Sequence, residues 1–151
     1  RGEQVSTAKE HLLTDLLVDI GDEPVVIFCR FHSDLDAAHR ACEQLGLRRQ
    51  ELSGRTNGLR DWQDARAQVL IVQQQSGGVG IDLTRARLAV YYSLGYSLAD
   101  YMQSRARLHR PGQLRSVEYI HLIVNGTIDE LVYQALADRA DVVASVVEGM
   151  R

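Results

Sequence analysis

The chain alternates short apolar runs with segments of helical periodicity, and this alternation limits its fold more than any other feature. Four runs are too short for typical helices and largely apolar: PVVIF (24–28), QVLIV (68–72), RLAVYY (87–92) and VEYIHLIV (117–124). Such runs are typical of strands that are buried on both faces of a sheet. LRRQEL (47–52) is a further, weaker candidate strand.

Segments with helical periodicity lie before, between and after these runs. In STAKEHLLTDLLVDI (6–20), leucines at positions 12, 13, 16 and 17 fall on one helical face. SDLDAAHRACEQLG (33–46) carries aspartates near its start, which suit the helix dipole, and it ends in a glycine. We also predict a short helix near 58–67, a helix from Ser97 to about His109, and a last helix from about Thr127 to Glu148.

Strands that alternate with helices predict an α/β domain in which helices cover both faces of a parallel sheet. We expect three layers and about five or six strands. Ligands of such sheets gather beyond the carboxyl ends of the strands. Three polar or glycine-rich segments follow predicted strands at that edge: CRFHSD, QQQSGGVG and SLGYS.

Positive charge is concentrated in the middle of the sequence. The formal net charge is −3, yet residues 48–115 hold eleven arginines against five acidic residues. Acidic residues outnumber basic ones both before and after this stretch. A basic stretch inside an acidic chain indicates a local surface that binds anions such as phosphate.

Several classes of protein and site are not expected. No apolar run approaches the roughly 18 residues of a membrane helix, and the N-terminus does not resemble a signal peptide. Cys29 and Cys42 lie in apolar surroundings, which favours reduced core thiols and a cytoplasmic location. No residues have metal-ligand spacing, so we expect no metal site. The chain begins at Arg1, and we expect it to be a fragment of a longer protein.

The glycine-rich segment VLIVQQQSGGVGIDL (69–83) follows a predicted buried strand. Its glycines would let the backbone approach a ligand closely, and N–H groups at a following helix start can face an anion. It lacks the Gly-Lys-Ser/Thr of a phosphate-binding P-loop and the spacing of a dinucleotide fingerprint. A tight structural turn and a ligand loop both fit it. Asp82 could accept a hydroxyl hydrogen bond or cap a helix.

The segment QSRARLHRPGQ (103–113) holds three arginines and a histidine. Ser97 and Asp100 form a capping box, so a helix should begin there. Gln103, Arg107 and Arg110 then fall on one face, at helical spacing, and Pro111 should end the helix at about Leu108–His109. This row of polar side chains fits either a helix face exposed to solvent or an anion-binding site.

Taken together and in this order, VVIFCRF, LSGRTN, VLIVQQQSGGVGIDL and QSRARLHRPGQ resemble the C-terminal RecA-like lobe of superfamily 2 helicases. The nearest match is the Swi2/Snf2-type ATP-dependent DNA translocases, and the resemblance covers roughly residues 9–137. The family pattern Gln-x-x-Gly-Arg-x-His-Arg-x-Gly-Gln is met from Gln103 to Gln113, with Ala106 where glycine is usual. The resemblance implies a RecA-like fold of the P-loop NTPase type, with residues 1–151 as a single helicase C-terminal domain.

The resemblance also implies roles for particular residues. Arg110 is similar to the arginine finger that stabilises charge on the γ-phosphate of ATP, with Arg107 as its companion and Gln103 as an orienting group. Gly78, Gly80 and Asp82 match a nucleotide-contacting motif. The positions similar to nucleic-acid contacts are Arg30, Phe31, His32, Gly54, Arg55, Gln75, Ser76 and Gly77.

As partners, the resemblance implies duplex DNA rather than single-stranded DNA, and a first RecA-like lobe of the same chain. That lobe would hold most of the ATP and its Mg²⁺, since this sequence has no P-loop and no Asp-Glu carboxylate pair. We therefore expect no bound cofactor and no ATP hydrolysis in the isolated domain, and we expect no membrane partner.

Two departures from the family pattern suggest a bacterial or phage-like, nucleoid-associated branch: Gln74-Gln75-Ser76 before the glycines, and SLGYSL (93–98) in place of an acidic segment. Two alternative functions also stay open. One is a non-catalytic module that docks on DNA or protein, and the other is the lobe of an RNA helicase.

Overall fold

The structure is a computed structural model that describes residues 2–74, 80–95, 97–124 and 130–134. Its helices and strands alternate along the chain as the apolar pattern predicts. The helices are α1 (Gly2–Ile20), α2 (His32–Gln44), α3 (Leu59–Gln63) and α4 (Leu98–Ala106). The strands are β1 (Val25–Cys29), β2 (Arg49–Leu52), β3 (Val69–Gln73), β4 (Leu88–Tyr91) and β5 (Glu118–His121).

The five strands form one parallel sheet in the order β2-β3-β1-β4-β5. Val25 at the start of the central strand pairs with Val69 of β3 and with Leu88 of β4. All the strands run in the same direction, so their last residues meet at one edge, called here the carboxyl edge. The predicted parallel sheet is confirmed, and β2 and β5 are its outer strands among the described residues.

One face of the sheet is covered by α1 and α2. Leu13 and Leu17 of α1 pack with the alanines and Leu35 of α2 over the side chains of Val25 and Ile27. These residues are buried, because successive strand residues point to opposite faces and those that face the helices are apolar.

The other face is covered by α3, α4 and the helical residues 130–134, which completes the three layers. Trp62 of α3 is fully buried, and its indole N–H donates to the carbonyl of Gln68 at 3.0 Å. Tyr101 of α4 packs on Tyr91 of β4, with ring centres 5.1 Å apart. Both aromatic residues therefore anchor a short helix to the sheet.

Several helix boundaries differ from the sequence prediction: α1 begins at Gly2 rather than Ser6, and α3 ends at Gln63 rather than near residue 67. Helix α2 begins at His32 rather than Ser33, and its N-cap residue Phe31 makes no side-chain cap bond. Helix α4 ends at Ala106, two or three residues before the predicted end. The predicted last helix is helical over residues 130–134, and the rest of it lies outside the described residues.

Both cysteines are buried free thiols, as predicted. Burial raises the pKa of Cys29 well above its usual value and raises that of Cys42 to about 11, so both thiols stay protonated at neutral pH. Within the described ranges, the search for a helix long and apolar enough to cross a membrane finds none.

Candidate functional site

Three of the five strands end next to residues that the sequence analysis assigned to a site. Arg30, Phe31 and His32 follow β1, and Gly54 and Arg55 follow β2 at the same edge. Gln75, Ser76, Gly77 and Gly78, assigned to the segment after β3, lie outside the described residues. The structure thus brings the first two groups to the carboxyl edge, where parallel sheets hold their ligands.

The residues after β1 combine a fixed backbone with exposed side chains. The N–H of Arg30 donates to the hydroxyl of Ser93 at 2.7 Å, and that hydroxyl donates to Asp34 at 2.7 Å. The Arg30 guanidinium lies 4.8 Å from the ring centre of Phe31, whose exposed fraction is 54%. His32 is also exposed. These side chains face solvent from a backbone that is tied to the end of β4.

Asp34 and Ser93 lie in two segments that the sequence places at this edge, CRFHSD and SLGYS, but the hydrogen bond between them was not predicted. Each lies just beyond the end of a strand, and β1 and β4 are neighbours in the sheet. A predicted strand order would have paired these two residues. The alternation of strands and helices does not supply that order.

The residues after β2 form a compact turn. The N–H of Gly54 donates to the side-chain oxygen of Gln73 at 3.1 Å, which joins the turn to the end of β3. Arg55 donates to Glu51 at 2.8 and 3.1 Å and to Asp36 of α2 at 2.5 Å. Its guanidinium is therefore held at the edge of the sheet by carboxylates of this chain.

The described end of the glycine-rich segment contacts Arg110. Gly80 has a φ of +89°, a left-handed conformation that favours glycine. The Arg110 guanidinium donates to the carbonyl oxygens of Gly80 and Ile81, both at 3.2 Å. Two motifs that are 30 residues apart in sequence are thus in direct contact.

Asp82 accepts hydrogen bonds within its own turn. Its Oδ1 accepts from the Thr84 hydroxyl at 2.6 Å and from the Thr84 N–H at 2.8 Å. These bonds, helped by the charge of Arg110 and opposed by burial, lower the pKa of Asp82. The carboxylate is therefore ionised at neutral pH and stabilises the bend that follows the glycines.

The arginine-rich segment begins as predicted but does not form one exposed stripe. The Ser97 hydroxyl accepts from the N–H of Asp100 at 3.1 Å and caps α4. Gln103 is half-buried on α4, while Arg107 follows the helix and is only 4% exposed. Burial lowers the pKa of the Arg107 guanidinium. Arg110 lies beyond the helix end, as Pro111 predicts, and folds back on residues 80–81, so it does not share a helical face with Gln103 and Arg107.

Gln113 joins the two motifs a second time. Its side-chain nitrogen lies 2.8 Å from the carbonyl oxygen of Ala86, 3.2 Å from that of Thr84 and 3.3 Å from that of Leu108. The N–H of Leu83 also donates to the carbonyl of Arg107 at 2.9 Å. The segments 80–86 and 107–113 are therefore one hydrogen-bonded unit. Gln113 matches the last position of the family pattern, but the sequence alone assigned it no role.

Among the residues that the structure describes, no group of three His, Cys, Asp or Glu side chains is placed to hold a metal ion. Beside the carboxylates that hold Ser93 and Arg55, the carboxyl edge offers guanidinium groups, side-chain amides and backbone N–H donors. Such donors suit phosphate oxygens better than metal cations.

Comparisons with known proteins show the family to which this chain belongs. Residues 8–112 match the family described as helicase conserved C-terminal domain. The chain belongs to this family. The RecA-like C-terminal lobe of a Snf2-type ATPase, expected from the resemblance, is confirmed by the same match and by the relatives below.

Two relatives align with nearly the whole chain. The chain is 28% identical to chromodomain-helicase-DNA-binding protein 1-like from Mus musculus, over 95% of this chain and 17% of that protein. It is 30% identical to ATP-dependent helicase fft2 from Schizosaccharomyces pombe, over 89% of this chain and 11% of that protein. These relatives lend no support to a bacterial or phage-like source, which stays a prediction.

The structure also resembles a solved one. The crystal structure of the C-terminal part of the Fun30 ATPase domain matches with a TM-score of 0.75 and 26% identity. The match covers 85% of this chain and 45% of the other. This helicase C-terminal lobe thus corresponds to part of a larger ATPase domain, and it spans under a fifth of the two relatives named above.

Proposed function

We propose that this lobe is the second motor lobe of an ATP-dependent DNA translocase and that a first RecA-like lobe of the same protein completes its site. ATP would lie between the two lobes, and this chain would contribute Arg107 and Arg110 to its γ-phosphate. The observation that carries the proposal is the contact of Arg110 with Gly80 and Ile81. It joins the arginine-rich and glycine-rich motifs in one unit at the surface of the lobe.

The two arginines suit stabilisation of phosphate charge for different reasons. Arg110 is partly exposed, and two backbone carbonyls hold its guanidinium in position without neutralising it. Arg107 is buried, and a buried positive charge interacts more strongly with an anion because less water screens it. A preorganised charge of this kind needs little rearrangement when negative charge develops on a phosphate.

The residues present fit one side of an ATP site. Arg110 and the N–H groups of Gly80 and Ile81 could contact phosphate oxygens. The buried Arg107 would add positive charge behind them, and Gln103 could orient a group beside them. When bound, ATP would supply the phosphoanhydride bond whose hydrolysis drives movement. Mg²⁺ requires oxygen ligands, and we assign its ligands and the β-phosphate site to the first lobe.

We further propose that the carboxyl edge contacts the backbone of duplex DNA. Arg30, Phe31 and His32 follow β1 with exposed side chains, and the turn at Gly54–Arg55 follows β2; both lie at the same edge, with β3 between the two strands. Contacts to phosphate position a protein on DNA without reading its sequence. The names of the relatives, a helicase-DNA-binding protein and an ATP-dependent helicase, agree with this assignment.

The proposal predicts that the isolated 151 residues do not hydrolyse ATP, whereas the protein from the complete gene does so when duplex DNA is present. The reason is that this lobe lacks the P-loop that would hold the β-phosphate. Phosphate release should be measured for both proteins, without nucleic acid and with duplex DNA, single-stranded DNA or RNA.

Stimulation of the complete protein by duplex DNA above the other nucleic acids supports a DNA translocase. Stimulation by RNA alone would show that this is the lobe of an RNA helicase. A complete protein that binds DNA without hydrolysing ATP would contradict the motor function and favour a docking module.

A further inference from the structure

Arg55 is shared between two carboxylates that differ in burial. Its Nε and Nη2 donate to Glu51, whose side chain is 5% exposed, and its Nη2 also donates to Asp36, whose side chain is 52% exposed. Arg55 itself is partly open to solvent, with 39% of its side chain exposed. One guanidinium thus joins a buried anion to an anion on the surface.

Glu51 is held from several directions. Besides Arg55, it accepts from the Ser53 hydroxyl at 2.5 Å and from His39 at 2.7 Å. The Nε of Arg49 donates to Nδ1 of His39 at 3.0 Å, so His39 carries its proton on Nε2 and donates it to Glu51. Burial opposes ionisation of Glu51, but its hydrogen bonds outweigh burial and lower its pKa to about 2.

Asp36 makes fewer contacts than Glu51. It lies on the exposed side of α2, and among the described residues Arg55 is its one hydrogen-bond and ion-pair partner, while Arg40 on the same helix adds only an electrostatic interaction. Exposed ion pairs contribute little, because water and salt screen them, whereas a buried carboxylate with several donors is costly to separate from its arginine. An incoming anion would therefore displace Asp36 from Arg55 and leave Glu51 in place.

We propose that Asp36 competes with a DNA phosphate for Arg55, and that Glu51 is the positioning residue that keeps Arg55 at the carboxyl edge during the exchange. This inference rests on the proposed function, in which Arg55 contacts the DNA backbone. A phosphate offers the same paired oxygen acceptors that Asp36 and Glu51 offer now. Asp36 would weaken each contact with DNA and thereby ease its release as the lobe moves.

The test is a double-mutant cycle in the complete protein. Asp36→Asn should tighten binding to duplex DNA about two- to fivefold at 0.1 M salt, because the competing charge is gone. Arg55→Ala should weaken binding and lower the slope of log K against log salt by about 1. In the Arg55→Ala background, Asp36→Asn should have no effect, since there is no arginine left to compete for.

The carboxylate of Glu51 leads to the opposite prediction for DNA affinity. Glu51→Gln also removes a negative charge, yet it should weaken DNA binding, because Arg55 loses its buried anchor. Thermal unfolding should be followed alongside, to show that the variant is folded at the temperature of the binding assay.

Glu43→Gln is the matched control. Glu43 also lies on α2 and contacts an arginine, Arg49, at 3.5 Å, with 77% of its side chain exposed. It is seven residues, or about 10 Å, further along the helix axis. This variant should leave DNA binding unchanged.

Equal gains from Asp36→Asn with and without Arg55 would show that Asp36 acts by general repulsion, and this would overturn the inference. No gain in either background, with Arg55→Ala still weakening binding, would overturn it as well. In both cases the motor function would stand, because that function is tested separately by ATP hydrolysis with duplex DNA.

Discussion

His121 is a buried histidine whose environment keeps it neutral. The residue is fully buried, its Nε2 lies 3.0 Å from the Tyr101 hydroxyl, and its ring stacks on Tyr91 with centres 4.8 Å apart. Burial, together with the nearby charge of Arg105, lowers its pKa from 6.5 to about 3. Protonation would therefore place an unpaired charge in the layer between the sheet and α4.

This environment predicts that the folded domain becomes less stable in acid. Below pH 6.5, His121 binds a proton in the unfolded chain but stays neutral in the folded chain. Proton binding therefore favours the unfolded chain, so the stability that is present above pH 6.5 is lost as the pH falls towards 3. Between pH 7 and pH 5 the loss should be about 2 kcal/mol. The free energy of unfolding should be measured by urea denaturation at both pH values.

His121→Phe should remove this part of the pH dependence while keeping an aromatic ring on Tyr91. His11→Gln, which changes an exposed histidine on α1, is the matched control. If His121→Phe loses as much stability between pH 7 and pH 5 as the unaltered chain, His121 is not the group responsible.

Single residues also mark the limit of what the sequence could predict. Helical spacing put Gln103, Arg107 and Arg110 on one face, but spacing does not reveal where a helix ends. Arg107 caps α4 with helical backbone angles and is buried, whereas Arg110 lies beyond the helix and reaches the loop at residues 80–81. The two carboxylates around Arg55 were also missed, since they come from different elements and each is unremarkable in its own segment.

At the scale of elements, the sheet was predictable because β1, β3 and β4 are short apolar runs that are buried on both faces, whereas β2 is more polar and gave a weaker signal. The helices followed from periodicity, and the Ser97 cap placed the start of α4. Strand order was not predictable from these signals, since it depends on how the faces of all the elements pack together. The family resemblance implied that the glycine-rich and arginine-rich segments cooperate, and the structure gives the contacts between them.

The hydrogen-bonded unit formed by segments 80–86 and 107–113 predicts a role for Gln113 in stability. Gln113→Met keeps the length of the side chain but removes its hydrogen bonds to carbonyls of both segments. The free energy of unfolding should fall by about 1–2 kcal/mol, as measured by urea denaturation.

Gln63→Met is the comparison. Gln63 is exposed and donates one hydrogen bond to the same segment, to the carbonyl of Asp82 at 2.9 Å. Its loss should change stability by no more than about 0.5 kcal/mol. Equal effects of the two variants would show that Gln113 does not join the segments in the way described.

At the scale of the whole molecule, the fold brings the candidate site residues together in two groups. Parallel strands bring Arg30 and Arg55 to the carboxyl edge, while the contacts of Arg110 and Gln113 hold the arginine-rich segment against the chain that follows the glycines. The lobe offers positive charge and amide donors, and the sequence has no P-loop. This division agrees with a lobe that completes an ATP site held mainly by another domain.

The most direct test of this account is the rate of ATP hydrolysis by the complete protein carrying Arg110→Ala, at saturating duplex DNA. Arg115→Ala is the matched control, because Arg115 is exposed and also donates to a backbone carbonyl, that of Arg85 at 2.8 Å. We predict that Arg110→Ala lowers the rate by about 10³-fold or more, while Arg115→Ala leaves it near that of the unaltered protein. Near-normal hydrolysis by a folded Arg110→Ala variant would contradict the account.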